Sequence, residues 1–313
     1  MLVATLGLGA CGGGGGGSSP HVTLLLDFTP NADHAGVFSA VARHYDRREG
    51  VLLEVRAPAD SAEALKLLAA GRADLAVLDI HDLALARERG RDLVAVAALE
   101  QAPLAAVIAA RGIVSPRALQ GRRVGVTGVP SDDAVLSSVV SGAGGNPRRV
   151  RRVTIGFNAV PSLLAARVSA ATAFWNIEGA ALAARGRGFH TFKVDAFGAP
   201  SYPELVICVT RQERDHHAGT IRRVLRALAR GYRFAAGNVA LATNDLVRAQ
   251  PGLGRALTES QVTTTRPAFL SAGGRWGELD TATLRAWAAW EVRFGIVAHP
   301  PDVARAFDGS LVP

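Results

Sequence analysis

Residues 24–38 read LLLDFTPNADHAGVF. An apolar run of strand character breaks at Thr29-Pro30-Asn31, and a segment with helical spacing of apolar residues begins beside His34. Pro30 fixes its own φ and disfavours helix at Thr29, so Asn31 or Asp33 can cap the helix that follows and leave its amide donors facing the strand end. A strand running through a polar turn into a helix is the unit of an α/β sheet, and ligands gather at such strand ends. Taken alone, the segment also reads as an ordinary capped βα turn.

The same rhythm continues on either side. Strands are predicted at Val22 to Asp27, Leu52 to Arg56, Leu75 to Leu78 and Val94 to Leu99, around helices starting at His34, Ser61 and His81. A second series follows near Ala105 to Ala109, Arg123 to Val126, Arg152 to Ile155, Ala171 to Phe174 and Phe189 to Val194, with helices from Ser131, Asn158 and Ile177. This alternation predicts largely parallel sheet covered by helices. From Asp215 onward helical periodicity dominates, including Thr220 to Ala236 and Thr281 to Phe294. The chain is expected to change domain near Gln101 to Leu104 and return near Pro200 to Leu205. Residues 21–103 with 205–313 then form one lobe and residues 104–204 a second, hinged over a cleft.

Composition narrows the class. With 313 residues, 49% of them apolar, the chain can bury the cores of about two domains. The opening residues, up to Leu8-Gly9-Ala10-Cys11, have the spacing of a bacterial lipobox. On that reading residues 1–10 are a signal segment, Cys11 is lipidated, and residues 11–20 are a Gly/Ser tether, although no Lys or Arg precedes Cys11. After this segment no uncharged apolar run approaches the length of a membrane span. Cys208, the other cysteine, lies within an apolar run and is expected as a buried thiol. The net charge of +8 is almost all arginine. Clusters at Arg148 to Arg152 and at Arg222, Arg223 and Arg226 lack the aromatic interleaving of a nucleic-acid module and read as solvated surface.

Four constellations are candidates for the cleft. Asp27-Phe28-Thr29-Pro30-Asn31 with His34 is the first, and Leu78-Asp79-Ile80-His81-Asp82 the second. In the third, Gly125 to Asp133, a Gly/Pro turn leads to Ser131 as a helix cap whose amides could receive an anion, although Asp132 and Asp133 serve the helix dipole themselves. The fourth, Thr172-Ala173-Phe174-Trp175-Asn176-Ile177-Glu178-Gly179, delivers an aromatic ring, an amide and a carboxylate at a strand end. A flat heterocycle needs that combination: a π face, and acceptors for amino or ring N–H groups. The same pattern equally suits Trp175 as a core residue and Glu178 as a first-turn helix residue.

LDFTPN, GVPSDDAVL, IGFNAVPSLLAARVSAATAFWNIEG and YPELVICV, in that order, resemble the NMT1/THI5-like branch of ABC-transporter solute-binding proteins, the ThiY-type pyrimidine-precursor binders. The resemblance runs from about Thr23 to Val209. It implies a two-lobed α/β fold of the periplasmic-binding-protein type (type II), closing over a small heterocyclic thiamin precursor such as hydroxymethylpyrimidine or formylaminopyrimidine. It also implies delivery to a membrane permease powered by a separate ATPase; together with the lipobox this gives the expectation of an extracytoplasmic, lipid-anchored monomer, and the residues themselves give none of a cofactor, a metal or nucleic acid. Carried over by position, Asn31, Trp175, Asn176 and Glu178 become ligand contacts, with His34 and Tyr202 as further candidates; Phe28, Asp79 and Ser131 of the cleft constellations are also expected to bind the ligand.

The family commonly has tryptophan before TPN, where this chain has Phe28, and an acidic residue before the FW strand, where it has Ser169. The competing ligands are a sulfonate, nitrate or a riboflavin-like solute. An enzyme reading follows from the fungal branch, which makes a pyrimidine phosphate with pyridoxal phosphate. It needs a Schiff-base lysine and a cysteine-rich motif, and the chain offers only Lys66, Lys193 and no cysteine cluster. No G-x-S-x-G elbow and no zinc-like His/Cys spacing is present.

Overall fold

The computed structural model describes residues 19–313 apart from Ser61, Pro130 and Arg187. The lipobox and most of the tether lie outside the described residues. Ten strands form two five-stranded sheets. The first contains β1 (His21–Leu25), β2 (Leu52–Arg56), β3 (Leu75–Asp79), β4 (Leu93–Ala98) and β10 (Leu205–Thr210), in the order β2-β1-β3-β10-β4. The second contains β5 (Ala105–Ala109), β6 (Arg123–Val126), β7 (Arg151–Thr154), β8 (Ala170–Phe174) and β9 (His190–Lys193), in the order β7-β6-β8-β5-β9. The chain passes from the first sheet to the second between β4 and β5 and back between β9 and β10.

The sheets are mixed, which corrects the expectation of largely parallel pairing. β1 lies parallel to β2 and β3, and β6 parallel to β7 and β8. β10 is antiparallel to β3 and β4, and β5 to β8 and β9. The two reversed strands are those entered directly from a crossing between sheets. A strand that enters at the cleft must run away from it, against neighbours that run toward it. β10 is a further strand beyond those the pattern predicts: Leu205 to Val209, expected only as an apolar run holding the Cys208 thiol, pairs between β3 and β4.

Burial follows position in the sheet except at β4, an edge strand whose open side is covered through the bridges of Ala95 to Phe307 and Ala98 to Gly277. β3, β4 and β5 (LAVLD, LVAVAA and AAVIA) are covered on both faces and read as continuous apolar runs. β2, β7 and β9 at the edges leave residues exposed. After β10 the chain is helical, beginning with a long helix, Arg211–Gly237, capped by Thr210 and kinked at His217. That helix packs against the helix Ala35–Ala42 at glycines: a Cβ on Gly231 would lie 2.1 Å from the Gly36 carbonyl oxygen. Tyr232 on the long helix stacks on Trp276 and donates from its hydroxyl to the Asp33 carbonyl oxygen at 2.7 Å. The turn after β1 is therefore fixed from beneath by the core.

Candidate functional site

A cavity of about 120 Å³ lies between the sheets, where the carboxyl ends of β1, β3, β6, β7 and β8 converge. Residues from both lobes line it. Asp27, Phe28, Asn31, Asp79 and Asp82 come from one side, and Thr127, Ser131, Asp132, Phe157, Phe174 and Glu178 from the other. Five of these are carboxylates, and no Arg, Lys or His lies among the described lining residues. Phe28 meets Phe157 across the cleft with ring centroids 4.0 Å apart and planes tilted by 55°. Phe174 adds a third ring to the apolar wall.

The TPN turn is organised by its own side chains. Asn31 Oδ1 accepts from the Asp33 amide at 2.8 Å, and Asn31 N donates to His34 Nδ1. With Nδ1 accepting, His34 donates from Nε2 to Asp27 Oδ1 at 2.9 Å. His34 is thus fully buried and holds Asp27 on the cavity wall rather than facing a ligand itself.

Asp132 occupies the third constellation. Its carboxylate accepts from Thr127 Oγ1 at 2.8 Å, from the Gly128 amide at 2.9 Å and from the Thr172 hydroxyl. An internal carboxylate thus sits at the turn that the sequence offers to an external anion. Ser131 is the first residue of the helix Ser131–Gly142 rather than the cap before it, and it lines the cavity opposite Asp82.

The fourth constellation divides. β8 ends at Phe174, and Trp175–Gly179 form a π-helical turn. Glu178 reaches the cavity and accepts from the Phe174 amide at 3.0 Å. Trp175 does not line the cavity: its indole N–H donates to the Pro103 carbonyl oxygen and its face carries the Lys193 ammonium 3.6 Å from the ring centroid. Asn176 is also withdrawn, donating to Asp33 Oδ1 and, at 2.7 Å, to Thr265 Oγ1 on the opposite lobe. Beside it Gln261 Nε2 donates to the Ile177 carbonyl oxygen at 2.8 Å. Trp175, Asn176 and His34 therefore support the walls, which corrects their expected direct contact with the cavity.

Tyr202 is corrected likewise. It is fully buried, with its hydroxyl 3.2 Å from His81 Nε2. His81 pairs through Nδ1 with Glu291. Burial opposes charge on His81, yet the Glu291 and Asp79 carboxylates push it up to about 10. Asp79, His81 and Glu204 bring one donor atom each within 4.8 Å of one another. With Glu291 on His81 Nδ1 and the Asp79 and Glu204 carboxylates beside the ring, these groups form a buried polar network at the hinge. There Glu204 accepts from the Leu104 and, at 2.8 Å, the Ala105 amides, tying the two crossings together.

Burial sets the charge state of the cavity acids. It raises Glu178 to about 7 and Asp82 to about 6, and it lifts Asp79 and Asp132 above the usual carboxylate range. Near neutral pH these carboxyls are therefore partly protonated, and a ligand that brings amino donors or positive charge draws them to the ionised form.

The NMT1/THI5-like family model matches residues 31–240. The formylaminopyrimidine-binding protein of Halalkalibacterium halodurans is 29% identical over 232 residues, 73% of this chain and 70% of that protein. A 4-amino-5-hydroxymethyl-2-methylpyrimidine phosphate synthase of Legionella pneumophila is 24% identical over 79% of each chain. Among solved structures, the alkanesulfonate-binding protein SsuA from Xanthomonas axonopodis superposes with a TM-score of 0.72 at 16% identity, over 94% of this chain and 98% of that one. The architecture is the two-lobed α/β fold of periplasmic binding proteins. With two thirds of its length matched by the family model, the chain belongs to the NMT1/THI5-like family.

Proposed function

We propose that this chain is the extracytoplasmic substrate-binding component of an ABC importer and captures an amino-substituted pyrimidine, a thiamin precursor of the hydroxymethylpyrimidine or formylaminopyrimidine type, between its lobes. The observation that carries this reading is the charge of the cavity: five carboxylates from both lobes and no cation among the described lining residues. An aminopyrimidine presents amino N–H groups in the ring plane for carboxylate acceptors and two apolar faces for Phe28, Phe157 and Phe174. A sulfonate or nitrate would find no cationic partner among the described lining residues, although binders of both share the fold. The name of the relative from Halalkalibacterium halodurans points to the same ligand class.

The chain binds without converting. Pyridoxal chemistry requires a lysine at the reacting carbon. Lys66 lies on the helix Glu63–Ala69, outside the cavity lining, and Lys193 covers Trp175. Attachment of a monomer to the membrane through lipid on Cys11, and docking on a permease, belong to the same proposal. A thermal-shift screen of the purified chain against formylaminopyrimidine, hydroxymethylpyrimidine, thiamin, riboflavin, taurine and nitrate tests it. Ligand at about a hundred times its Kd adds roughly 2.7 kcal/mol, a shift of several degrees. A shift with the pyrimidines alone supports the assignment, and a shift with taurine or nitrate overturns it.

A further inference from the structure

The arginine excess is not spread over the molecule. Residues 104–204 hold 12 Arg and Lys against five Asp and Glu, whereas the rest of the chain holds 23 against 22. Of those five carboxylates Asp132 and Glu178 line the cavity and Glu204 is buried at the hinge, which leaves Asp133 and Asp195 exposed on the surface. Ion pairing follows the same division. Among the described residues there are ten arginine–carboxylate pairs, and nine lie outside residues 104–204. A mere compositional preference for arginine would charge both lobes alike.

Half of these twelve cations are gathered at one place. Arg122 and Arg123 lead into β6, and Arg148, Arg149, Arg151 and Arg152 lead into and begin β7, the edge strand of the second sheet. The register sets Arg123 opposite Arg151, the Arg151 amide donates to the Arg122 carbonyl oxygen at 2.9 Å, and the Gly121 amide donates to that of Arg149 at 2.7 Å. All six side chains are exposed, and Arg152 alone has a carboxylate partner among the described residues, Asp133. The cluster sits at the amino ends of β6 and β7, whereas the cavity lies beyond their carboxyl ends. It is therefore remote from the captured solute.

We propose that this arginine-lined end of the second lobe is a docking surface for an anionic lipid bilayer. The proposal deepens the lipid-anchored reading above. Guanidinium groups are weakly hydrated and pair bidentately with phosphate, and a cluster of basic residues at an anionic leaflet is attracted over about a Debye length. No aromatic residue occurs between Arg111 and Val153 to stack on bases. The most exposed large apolar side chain among the described residues, Val114, stands in the loop before the turn Pro116–Leu119 of the same lobe.

The test is vesicle co-sedimentation of the full chain carrying Cys11→Ser, so that no acyl chain can anchor it. Vesicles are of phosphatidylcholine alone or mixed with phosphatidylglycerol, at low and at physiological salt. The chain is expected to bind only the anionic vesicles and to lose binding as salt rises. Arg148→Glu/Arg149→Glu/Arg151→Glu is expected to weaken that binding at least about a hundredfold. The charge-matched variant Arg222→Glu/Arg233→Glu/Arg248→Glu, on the other lobe, is expected to retain it. Absence of vesicle binding overturns the proposal, as does equal loss in both variants, which would reduce the effect to net charge. Binding of duplex DNA as tight as that of anionic vesicles overturns it in favour of an unspecific polyanion surface. The ligand screen described above is scored separately, so a failure here leaves the pyrimidine assignment standing and the reverse also holds.

Discussion

Replacing Glu178 by Gln tests the chemistry of the cavity. One carboxylate oxygen is committed to the Phe174 amide at 3.0 Å, while the side chain lines the cavity. A hydrogen bond from a ligand amino group to an ionised carboxylate contributes about 1.5–3 kcal/mol, so the variant is expected to bind formylaminopyrimidine about 10- to 150-fold more weakly where Glu178 is ionised. The carboxyl titrates at about 7, raised by burial. A ligand that donates to the ionised form therefore binds more tightly as pH rises through that value, with about a tenfold change in Kd from one unit below to one unit above. The Gln variant should lack most of that pH dependence. Isothermal titration across this range reads both quantities. A Gln variant within about twofold of the native chain above the transition, or a native Kd that does not change with pH, would refute the reasoning.

Other expectations concern the frame. In the ligand-free protein the folded-state carboxyl of Glu178 titrates at about 7 against an ordinary value of 4.5. The native state thus holds more protons across that window, and stability falls as pH rises through it. Glu178→Gln should raise Tm by a few degrees above the window and not below it, as scanning calorimetry would record. Asn176→Ala removes the bond to buried Asp33 and the bridge to Thr265. Urea unfolding should show a loss of about 1–3 kcal/mol. Trp175→Phe should leave ligand affinity within about threefold, because the indole faces Pro103 and Lys193; loss of a stacking partner would cost more. Gly231→Ala drives a Cβ to 2.1 Å from the Gly36 oxygen and should cost at least about 1–3 kcal/mol, read as a lower urea midpoint.

Most of the fold was legible in the sequence because its strands are short apolar runs between turn residues. β2, β5 and β6 have the bounds that the pattern predicts, and the turn after β1 is a strand end at the cavity. Strand direction was not legible, since LVICVT reads the same whichever way it runs, and only the crossing between lobes makes β10 antiparallel. The site was legible in part. Phe28, Asn31, Asp79, Ser131 and Glu178 come together at the cavity, whereas His34, Trp175, Asn176 and Tyr202 are taken up by partners behind it.

Period-two alternation carried a usable signal, because Phe174 and Trp175 at a strand end point to opposite faces and cannot both reach one cavity. Phe157, missed altogether, follows β7 at a carboxyl end where ligand contacts concentrate. The five acids were visible as residues of the four constellations, but that all of them face one cavity was not, because it depends on the packing of two sheets.

The central claim is that the carboxylate-lined cavity receives an N–H-rich ring and no anion. The most direct measurement is a crystal structure of the chain with formylaminopyrimidine bound. The account expects the ring between Phe28, Phe157 and Phe174, with an amino nitrogen about 2.7–3.0 Å from a Glu178 oxygen and Trp175 still covered by Lys193. A ring stacked on Trp175 with Glu178 beyond hydrogen-bond reach, or a ligand bound outside the cleft, would contradict it.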